Sequence, residues 1–325
     1  YYAGITSANA SLVDDLTALI NPHTVVSYVA YKSTIMTAFE VQDTTAGQSF
    51  VTCAYSGEKK LFYDPFDWSD LGYSREHTYS HSWMPTFDAS SLPEYADQHN
   101  LFPTNLNKAN TPRSNLPLGD ITGAVSFTYL EGSVGKDDDG ALVYEPRDEQ
   151  KGNAARAMFY MATAYNGISG NNWALPTGQD QMILKDWHFA DTPDNYEIAR
   201  HELMFANQGN RNPFIDSADL VCYIDFSNMT YNVLACLLET ETLSLDDRSF
   251  AVFPNPSNDV IYVQVNGTEI NSYEVHDLQG RLVKSMDNLN SKFETLSALD
   301  LKNGSYIITA KTPLGSVTKN FIVNK

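Results

Sequence analysis

The pattern of hydrophobic residues changes once along this chain of 325 residues, and that change limits the folds open to it. Residues 1–240 contain segments with helical periodicity, whereas residues 250–325 contain short segments in which apolar and polar residues alternate. Between them, the stretch "LLETETLSLDDRSFAVFPNPSND" is polar and ends in a Pro-Asn-Pro turn. The chain is also about twice as long as a typical domain. We therefore predict two domains, covering residues 1–242 and 243–325.

The first domain contains three predicted helices. Residues 11–20, 151–167 and 196–207 each place apolar side chains at helical spacing. The segment "GKDDDGALVYE" predicts a hairpin that turns at Asp139 and Gly140, because its aspartates lack the spacing of an EF-hand loop. Helices interrupted by loops and hairpins indicate an α+β domain rich in helices and loops.

The second domain reads as strands throughout. The segments "DVIYVQV", "SYEVHDLQGRLV" and "GSYIITAKTPLGSVTKNFIV" alternate apolar and polar residues and are separated by turn residues. Several short strands at this spacing predict a small all-β sandwich.

The charge of the chain restricts how it could bind nucleic acid. The formal net charge is −19, and residues 1–240 contribute −17 of it, with 13 Lys and Arg against 30 Asp and Glu. Affinity for phosphate normally comes from Lys and Arg. The chain is therefore a poor candidate for a non-specific nucleic-acid binder, and any interpretation that involves nucleic acid must explain this charge.

Cysteines and hydropathy set two further limits. The three cysteines are too few for a disulfide scaffold, although Cys222 and Cys236 could form a bridge. No apolar run reaches the roughly 18 residues that a membrane helix needs, so we expect no transmembrane segment. The chain begins with Tyr1 and no basic-then-apolar leader precedes it, so we expect that any signal peptide has been removed or left out.

The stretch "SREHTYSHSW" places Glu76 beside His77, with His81 four residues further on. Zinc proteases use two histidines at this spacing, but their glutamate follows the first histidine or precedes the last, and this stretch is poor helix sequence. Neighbouring residues on a strand point to opposite faces, so Glu76 and His77 can serve one site only at a strand end or in a loop. We predict such a position for the pair.

A second polar cluster, "EYADQHNLFPTNLNKANTPRSNLPLGD", indicates a site built on loops. Hydrolysis of a phosphodiester needs a base to activate water and a cation to neutralise developing charge. A neutral histidine can supply the base, and a carboxylate with an amide oxygen can hold magnesium. His77, Glu76 and Asn115 fit these roles. His99 is more readily explained as a structural residue.

Four motifs, taken in order along residues 5–235, resemble those of the bacterial endonuclease I family. They are "SREHTYSHSW", "DQHNLFPTNLNKANTPRSN", "EPRDEQKGNAARAMFYM" and "NQGNRNPFID". The resemblance implies a secreted or periplasmic nuclease with a His-Me finger (ββα-metal) core. Such enzymes cut DNA, and often RNA, with little sequence preference, leaving a 5′ phosphate and a 3′ hydroxyl.

The resemblance implies a role for each matching residue. Glu76 and Asn115 are similar to the metal-binding residues and His77 to the general base. The product-stabilising arginine of the family lies in a segment that does not align here, so Arg113 and Arg211 are its candidates. We add Arg211, Lys108 and Asn100 as substrate-binding candidates, although Asn100 could instead hold loop backbone. His81 stands where family members often carry lysine, and we expect it outside the metal site.

The second domain resembles the C-terminal sorting domain of proteins exported by the type IX secretion system. The resemblance rests on "NPS", "DLQGRLV", "NGSYII" and the final strand, within residues 250–325. It implies that the secretion machinery is a partner of this domain. A carbohydrate-binding or adhesion module of the same architecture is the alternative.

These observations predict a monomeric, secreted endonuclease, either free or attached to the cell surface, that uses Mg²⁺, with Mn²⁺ or Ca²⁺ as alternatives. Its substrate would be DNA, with RNA as a second candidate. A phosphodiesterase for small nucleotides or other phosphoesters is the alternative enzyme. A DNA- or surface-binding protein with a decayed active site is the alternative outside enzymes.

Overall fold

The chain divides into two compact units, Tyr1–Leu238 and Glu239–Lys325. The structure, a computed structural model, describes residues 1–7, 9–86, 90–232, 250–265, 268–313 and 315–325. The predicted boundary at residues 242 and 243 lies outside the described residues and stays a prediction. Cys222 is disulfide-bonded. Its predicted partner, Cys236, lies outside the residues that the structure describes.

The first unit combines helices with small antiparallel sheets, so its mixed helix and strand content is as predicted. Its α-helices are α1 (Leu12–Ile20), α2 (Trp68–Leu71), α3 (Pro93–Ala96), α4 (Thr111–Arg113), α5 (Asp148–Tyr165), α6 (Gln181–Ala190), α7 (Asn195–Gln208) and α8 (Pro213–Asp216). Short 3₁₀-helices cover Tyr28–Ala30, His81–Trp83, Gln98–Asn100, Ile168–Gly170 and Ala218–Tyr223. Two π-helical segments cover Lys32–Glu40 and Leu106–Asn110. Within the described part of the chain, no helix has the length and apolar character that crossing a membrane requires.

The strands of this unit form four short sheets. They are β1 (Gln42–Asp43), β2 (Ser49–Thr52), β3 (Lys59–Phe62), β4 (Tyr73–His77), β5 (Leu101–Asn105), β6 (Val125–Tyr129), β7 (Gly132–Lys136), β8 (Leu142–Glu145), β9 (Ile224–Asp225) and β10 (Thr230–Tyr231). The sheets have the orders β1-β2-β3, β4-β5, β6-β7-β8 and β10-β9. The hairpin predicted at Asp139 and Gly140 is confirmed, since β7 pairs with β8 across it.

Helix α5 forms the centre of the first unit. The predicted helix at residues 151–167 is confirmed, but it begins three residues earlier and is buried on nearly all sides rather than along one stripe. Gly152 permits this packing, because a Cβ atom there would lie 2.0 Å from the carbonyl oxygen of Asp191. The helices predicted at residues 11–20 and 196–207 are also confirmed, as α1 and α7.

Strands β4 and β5 pair antiparallel, with His77 opposite Leu101. The chain then enters the helical segment 106–113, which begins where Asn105 accepts hydrogen bonds from the backbone N–H groups of Asn107 and Lys108 at 3.1 and 3.0 Å. This connection brings residues near position 110 against the end of β4. Since β4 ends at His77, the prediction that the Glu76–His77 pair lies at a strand end is confirmed.

The second unit is β-rich, as predicted. Its strands are β11 (Phe250–Phe253), β12 (Val260–Val265), β13 (Ser272–Asp277), β14 (Leu282–Met286), β15 (Phe293–Ser297), β16 (Gly304–Thr312) and β17 (Gly315–Val323). They form two antiparallel sheets, in the orders β11-β12-β15 and β14-β13-β16-β17. Side chains from both sheets, such as Ile261 and Ile308, belong to one buried apolar cluster.

We expect the first unit to lose stability in acid through His201, on α7. The Nε2 atom of His201 accepts a hydrogen bond from the backbone N–H of Asn212 at 3.0 Å. Burial, followed by the nearby His99, lowers the pKa of His201 to about 3. The same side chain in an unfolded chain has a pKa of about 6.5. Between the folded-state pKa of about 3 and the unfolded-state pKa of about 6.5, the unfolded state therefore binds more protons than the folded state. The contribution of His201 to the free energy of unfolding is fully present above about pH 6.5 and is lost as the pH falls.

The variant His201→Gln isolates this effect, because glutamine keeps an acceptor for the Asn212 N–H but does not titrate. Scanning calorimetry should show that acidification from about pH 7 to about pH 5 lowers the melting temperature of the variant less than that of the wild type. An equal decrease in both proteins would contradict the role assigned to His201.

Candidate active site

A pocket of about 520 Å³ opens at the end of β4. Its walls come from β4, from the helical turns at Tyr28–Ala30 and His81–Trp83, and from residues 110–115. Glu76, His77 and Asn115 all line it. The structure thus brings together the three residues predicted to form a site, although Asn115 is far from the other two in sequence.

The carboxylate of Glu76 is buried and held at both oxygens. Its Oε1 atom accepts a hydrogen bond from Arg113 Nη1 at 3.0 Å, and its Oε2 atom accepts one from the side-chain amide of Asn110. Burial raises the pKa of Glu76 to about 7, against the opposing effect of Arg113. A carboxylate whose charged form is disfavoured by burial gains stabilisation from a further nearby cation. Each oxygen keeps a second lone pair with which to bind one.

His77 has a defined tautomer. Its Nε2 atom lies 2.8 Å from the carbonyl oxygen of Tyr95, and because a carbonyl only accepts, Nε2 must carry the proton. The Nδ1 atom therefore holds a lone pair. The ring stacks on Tyr28, with centroids 5.4 Å apart, and contacts the edge of Tyr95 at 4.6 Å. Burial lowers the pKa of His77 to about 4, so the ring is neutral at pH 7 and able to accept a proton.

Two asparagines lie in this pocket, and the sequence had indicated only one of them. Asn115 is exposed at the pocket wall. Asn110 also lines the pocket and donates its amide N–H to Glu76. Both belong to the motif "NKANTPRSN", so the signal for Asn110 was present. Nothing in the motif separates a residue that binds a ligand from one that orients a carboxylate.

Arg113 lies behind the pocket and is fully buried. Its Nη1 donates to Glu76 and to the His77 carbonyl at 3.1 Å, its Nη2 donates to the Thr78 carbonyl at 2.6 Å, and its guanidinium lies 4.9 Å from the Trp83 ring centre. These bonds fix the end of β4 and the Glu76 side chain. The predicted product contact of Arg113 stays a prediction, and the geometry favours a positioning role.

The three predicted substrate-binding residues are absent from the residues lining the pocket. Asn100 holds loop backbone, since its side chain bonds the N–H and the carbonyl of Tyr79 at 2.7 and 3.0 Å. The ammonium group of Lys108 lies 5.6 Å from the Tyr129 ring centre. Arg211 forms ion pairs of 2.7 Å with both Asp216 and Glu202.

Of the histidines His81 and His99, the first lies in the pocket and the second is buried elsewhere in the first unit. His81, which we expect outside the metal site, lines the same pocket, and its ring centre is 5.7 Å from that of His77. His99 is buried, and its ring packs 4.5 Å from that of Tyr160. Its position agrees with the structural role predicted for it.

The donor atoms around Glu76 fit a hard cation that keeps much of its water. One carboxylate, the amide oxygens of Asn110 and Asn115, and the hydroxyl of Ser114 are oxygen donors in or beside the pocket. The described residues contain no group of three or more His, Cys, Asp or Glu side chains able to hold a metal. Magnesium is usually bound through one or two carboxylates and several waters, whereas calcium takes six to eight oxygen ligands. The donors present therefore suit a hard divalent cation that prefers oxygen ligands.

Comparison with known proteins assigns both parts of the chain to families. Residues 9–219 match the sequence profile of the endonuclease I family. Residues 251–324 match the profile of the secretion system C-terminal sorting domain.

Relatives of the first part are named as nucleases. An extracellular ribonuclease of Bacillus subtilis (strain 168) is 30% identical over 229 residues, which cover 66% of this chain and 75% of the relative. An extracellular ribonuclease of Bacillus amyloliquefaciens is 30% identical over 222 residues, or 64% and 72% of the two chains. An extracellular deoxyribonuclease of Aeromonas hydrophila is 29% identical over 121 residues, or 37% and 49%.

Proposed function

Because the chain belongs to the endonuclease I family, we propose that it is a Mg²⁺-dependent endonuclease in which His77 is the general base. The chain is a secreted nuclease that carries a type IX sorting domain. The finer proposal rests on one observation: Glu76 and a neutral His77, adjacent at the end of β4, share one pocket with Asn115. We also infer that β4, β5 and the helical segment 106–113 correspond to the His-Me finger (ββα-metal) core.

In this proposal, His77 moves the proton. Its Nδ1 atom accepts a proton from a water molecule as the water oxygen attacks phosphorus. The new P–O bond forms while the bond from phosphorus to the 3′ oxygen breaks, and the 3′ oxygen takes up a proton from solvent. The products are a 5′ phosphate and a 3′ hydroxyl. The Tyr95 carbonyl holds Nε2–H in place, so that Nδ1 stays free of its proton at neutral pH.

Glu76 and Asn115 would hold the magnesium ion, with Asn110 and Arg113 orienting the glutamate. Bound there, the cation neutralises charge that develops on the phosphate and on the leaving oxygen. The contacts to both oxygens of Glu76 fix its rotamer before any ligand arrives. Such preorganisation lowers the cost of assembling a site.

The second unit indicates a protein partner in addition to the nucleic-acid substrate. As a sorting domain, residues 251–324 would be recognised by the secretion machinery, with release or attachment at the cell surface afterwards. The nuclease unit would then act outside the cell on DNA, with RNA as a second substrate. The names of the relatives include both ribonucleases and deoxyribonucleases.

End-group analysis tests the proposed chemistry. Plasmid DNA and a single-stranded RNA would be digested with the full chain in Mg²⁺, and the fragments labelled with polynucleotide kinase. We expect labelling only after phosphatase treatment, because each cut leaves a 5′ phosphate. Fragments that accept the label directly would carry 5′ hydroxyls and would contradict the mechanism.

A further inference from the structure

Arg75 lies on β4 directly before Glu76 and lines the same pocket. Its guanidinium lies 4.0 Å from the Tyr28 ring centre and 5.0 Å from that of Trp68. Contact with two aromatic rings holds an arginine through its flat faces and leaves the N–H groups at its edge available for hydrogen bonds. The side chain is thus fixed in place without using its donors.

Arg75 differs from the other arginines in its charge partners. Among the described residues it is the one arginine with no carboxylate oxygen within 4.0 Å; the others are Arg113, Arg147, Arg156, Arg200, Arg211 and Arg281, and each has one. Its Nε atom is buried and has no hydrogen-bond partner in the described part of the chain. A buried donor without a partner is costly, and an anion that reached this guanidinium would reduce that cost.

Among the residues that the structure describes, the pocket offers no other strong cation for an anion. Arg75 is the single Lys or Arg among the described residues that line it. Arg113 is fully buried against Glu76, and Arg211 is bound by two carboxylates. In a chain with a net charge of −19, an arginine without a carboxylate partner beside Glu76 gives a polyanion a local point of attachment.

Arg75 and His77 are also placed to act on one group. They are two residues apart on a strand, so their side chains leave the same face of β4. Tyr28 contacts both, because its ring stacks on His77 with an interplanar angle of 10° and lies under the guanidinium of Arg75. An anion at the edge of Arg75 would therefore lie on the same side of the strand as the proposed base.

We propose that Arg75 binds a backbone phosphate of the nucleic acid in this pocket and positions it for attack. The inference rests on the proposed function for its substrate, but it concerns binding and can be measured without catalysis or metal. Each phosphate contact that an arginine makes to a single strand makes the slope of the logarithm of the binding constant against the logarithm of the salt concentration more negative by about 0.7.

The test measures binding of a fluorescent single-stranded oligonucleotide to the His77→Ala chain in EDTA, between about 20 and 150 mM NaCl. Adding Arg75→Gln should weaken binding by about 10-fold or more and make the salt slope shallower by about 0.7. Arg75→Lys should keep the slope, because the charge remains. Introduced alone into the wild-type chain, Arg75→Lys should still lower kcat/KM for cleavage in Mg²⁺, because lysine lacks the planar set of N–H donors of a guanidinium group.

Arg281→Gln serves as the matched control. It removes the same charge from an exposed side chain of the second unit, and we expect neither affinity nor slope to change. Melting temperatures of all variants would show whether the loss of the contacts with Tyr28 and Trp68 unfolds the protein. Undetectable binding in the Arg75-intact protein, or an unchanged slope in folded Arg75→Gln, would overturn the assignment. Neither result depends on whether His77 is the base or magnesium the cofactor.

Discussion

Replacing His77 with alanine is expected to lower kcat for DNA cleavage by about 10²- to 10⁴-fold, the usual contribution of a general base. The ring is neutral, its Nε2–H donates to the Tyr95 carbonyl, and no hydrogen bond to its Nδ1 atom is present among the described residues. KM should change little, because the base acts on water rather than on the substrate. Steady-state cleavage of a labelled duplex in Mg²⁺ measures both constants.

Two controls separate this chemical role from a structural one. His276→Ala removes a half-buried histidine of the second unit and should leave kcat unchanged. Added imidazole should restore part of the activity of His77→Ala, since the substitution enlarges a pocket of about 520 Å³ next to the reacting groups. Wild-type kcat in a folded His77→Ala protein would contradict the role of His77.

Replacing Asn115 with alanine is expected to raise the Mg²⁺ concentration for half-maximal activity by at least about 10- to 100-fold, the loss seen when even an outer partner of a metal ligand is removed. Asn115 lines the pocket and is exposed, so its removal should leave the melting temperature nearly unchanged. Calorimetric titration of Mg²⁺ into the protein without substrate provides a readout independent of activity.

Asn110→Ala is the matched comparison for Asn115→Ala. Asn110 donates to Glu76, so its loss should loosen the glutamate and weaken Mg²⁺ binding less than loss of Asn115. If Asn110→Ala had the larger effect on Mg²⁺ affinity and Asn115→Ala had none, the metal-binding asparagine would be Asn110.

Local patterns in the sequence predict three of the longer helices of the first unit, α1, α5 and α7, whereas α6 was not predicted. The periodicity of residues 151–167 predicts α5, because a helix needs only its own sequence to form its hydrogen bonds. The adjacency of Glu76 and His77 predicts a strand end or a loop, because neighbouring side chains on a regular strand point to opposite faces, and the pair lies at the end of β4. Burial of α5 on all sides depends on its neighbours and is absent from the pattern.

The sequence alone does not predict which arginine is available to contact a phosphate group. Arg113 and Arg211 were the candidates for phosphate contact, yet their neighbours in space use their donors, and those neighbours are set by tertiary packing. Arg75 stands next to Glu76, but nothing in the sequence distinguishes it from the other arginines. What distinguishes it, among the described residues, is the lack of a carboxylate partner and the contact with Tyr28 and Trp68, and the contact with Tyr28 depends on a segment far from it in the chain.

The most direct test of the central claim is plasmid cleavage by the full wild-type chain in EDTA and after addition of millimolar Mg²⁺. A cation beside Glu76 that neutralises charge on the phosphate should be indispensable. We expect the plasmid to stay supercoiled in EDTA and to be nicked and then degraded once Mg²⁺ is in excess. Undiminished cleavage in EDTA would contradict a metal-dependent nuclease centred on Glu76 and His77.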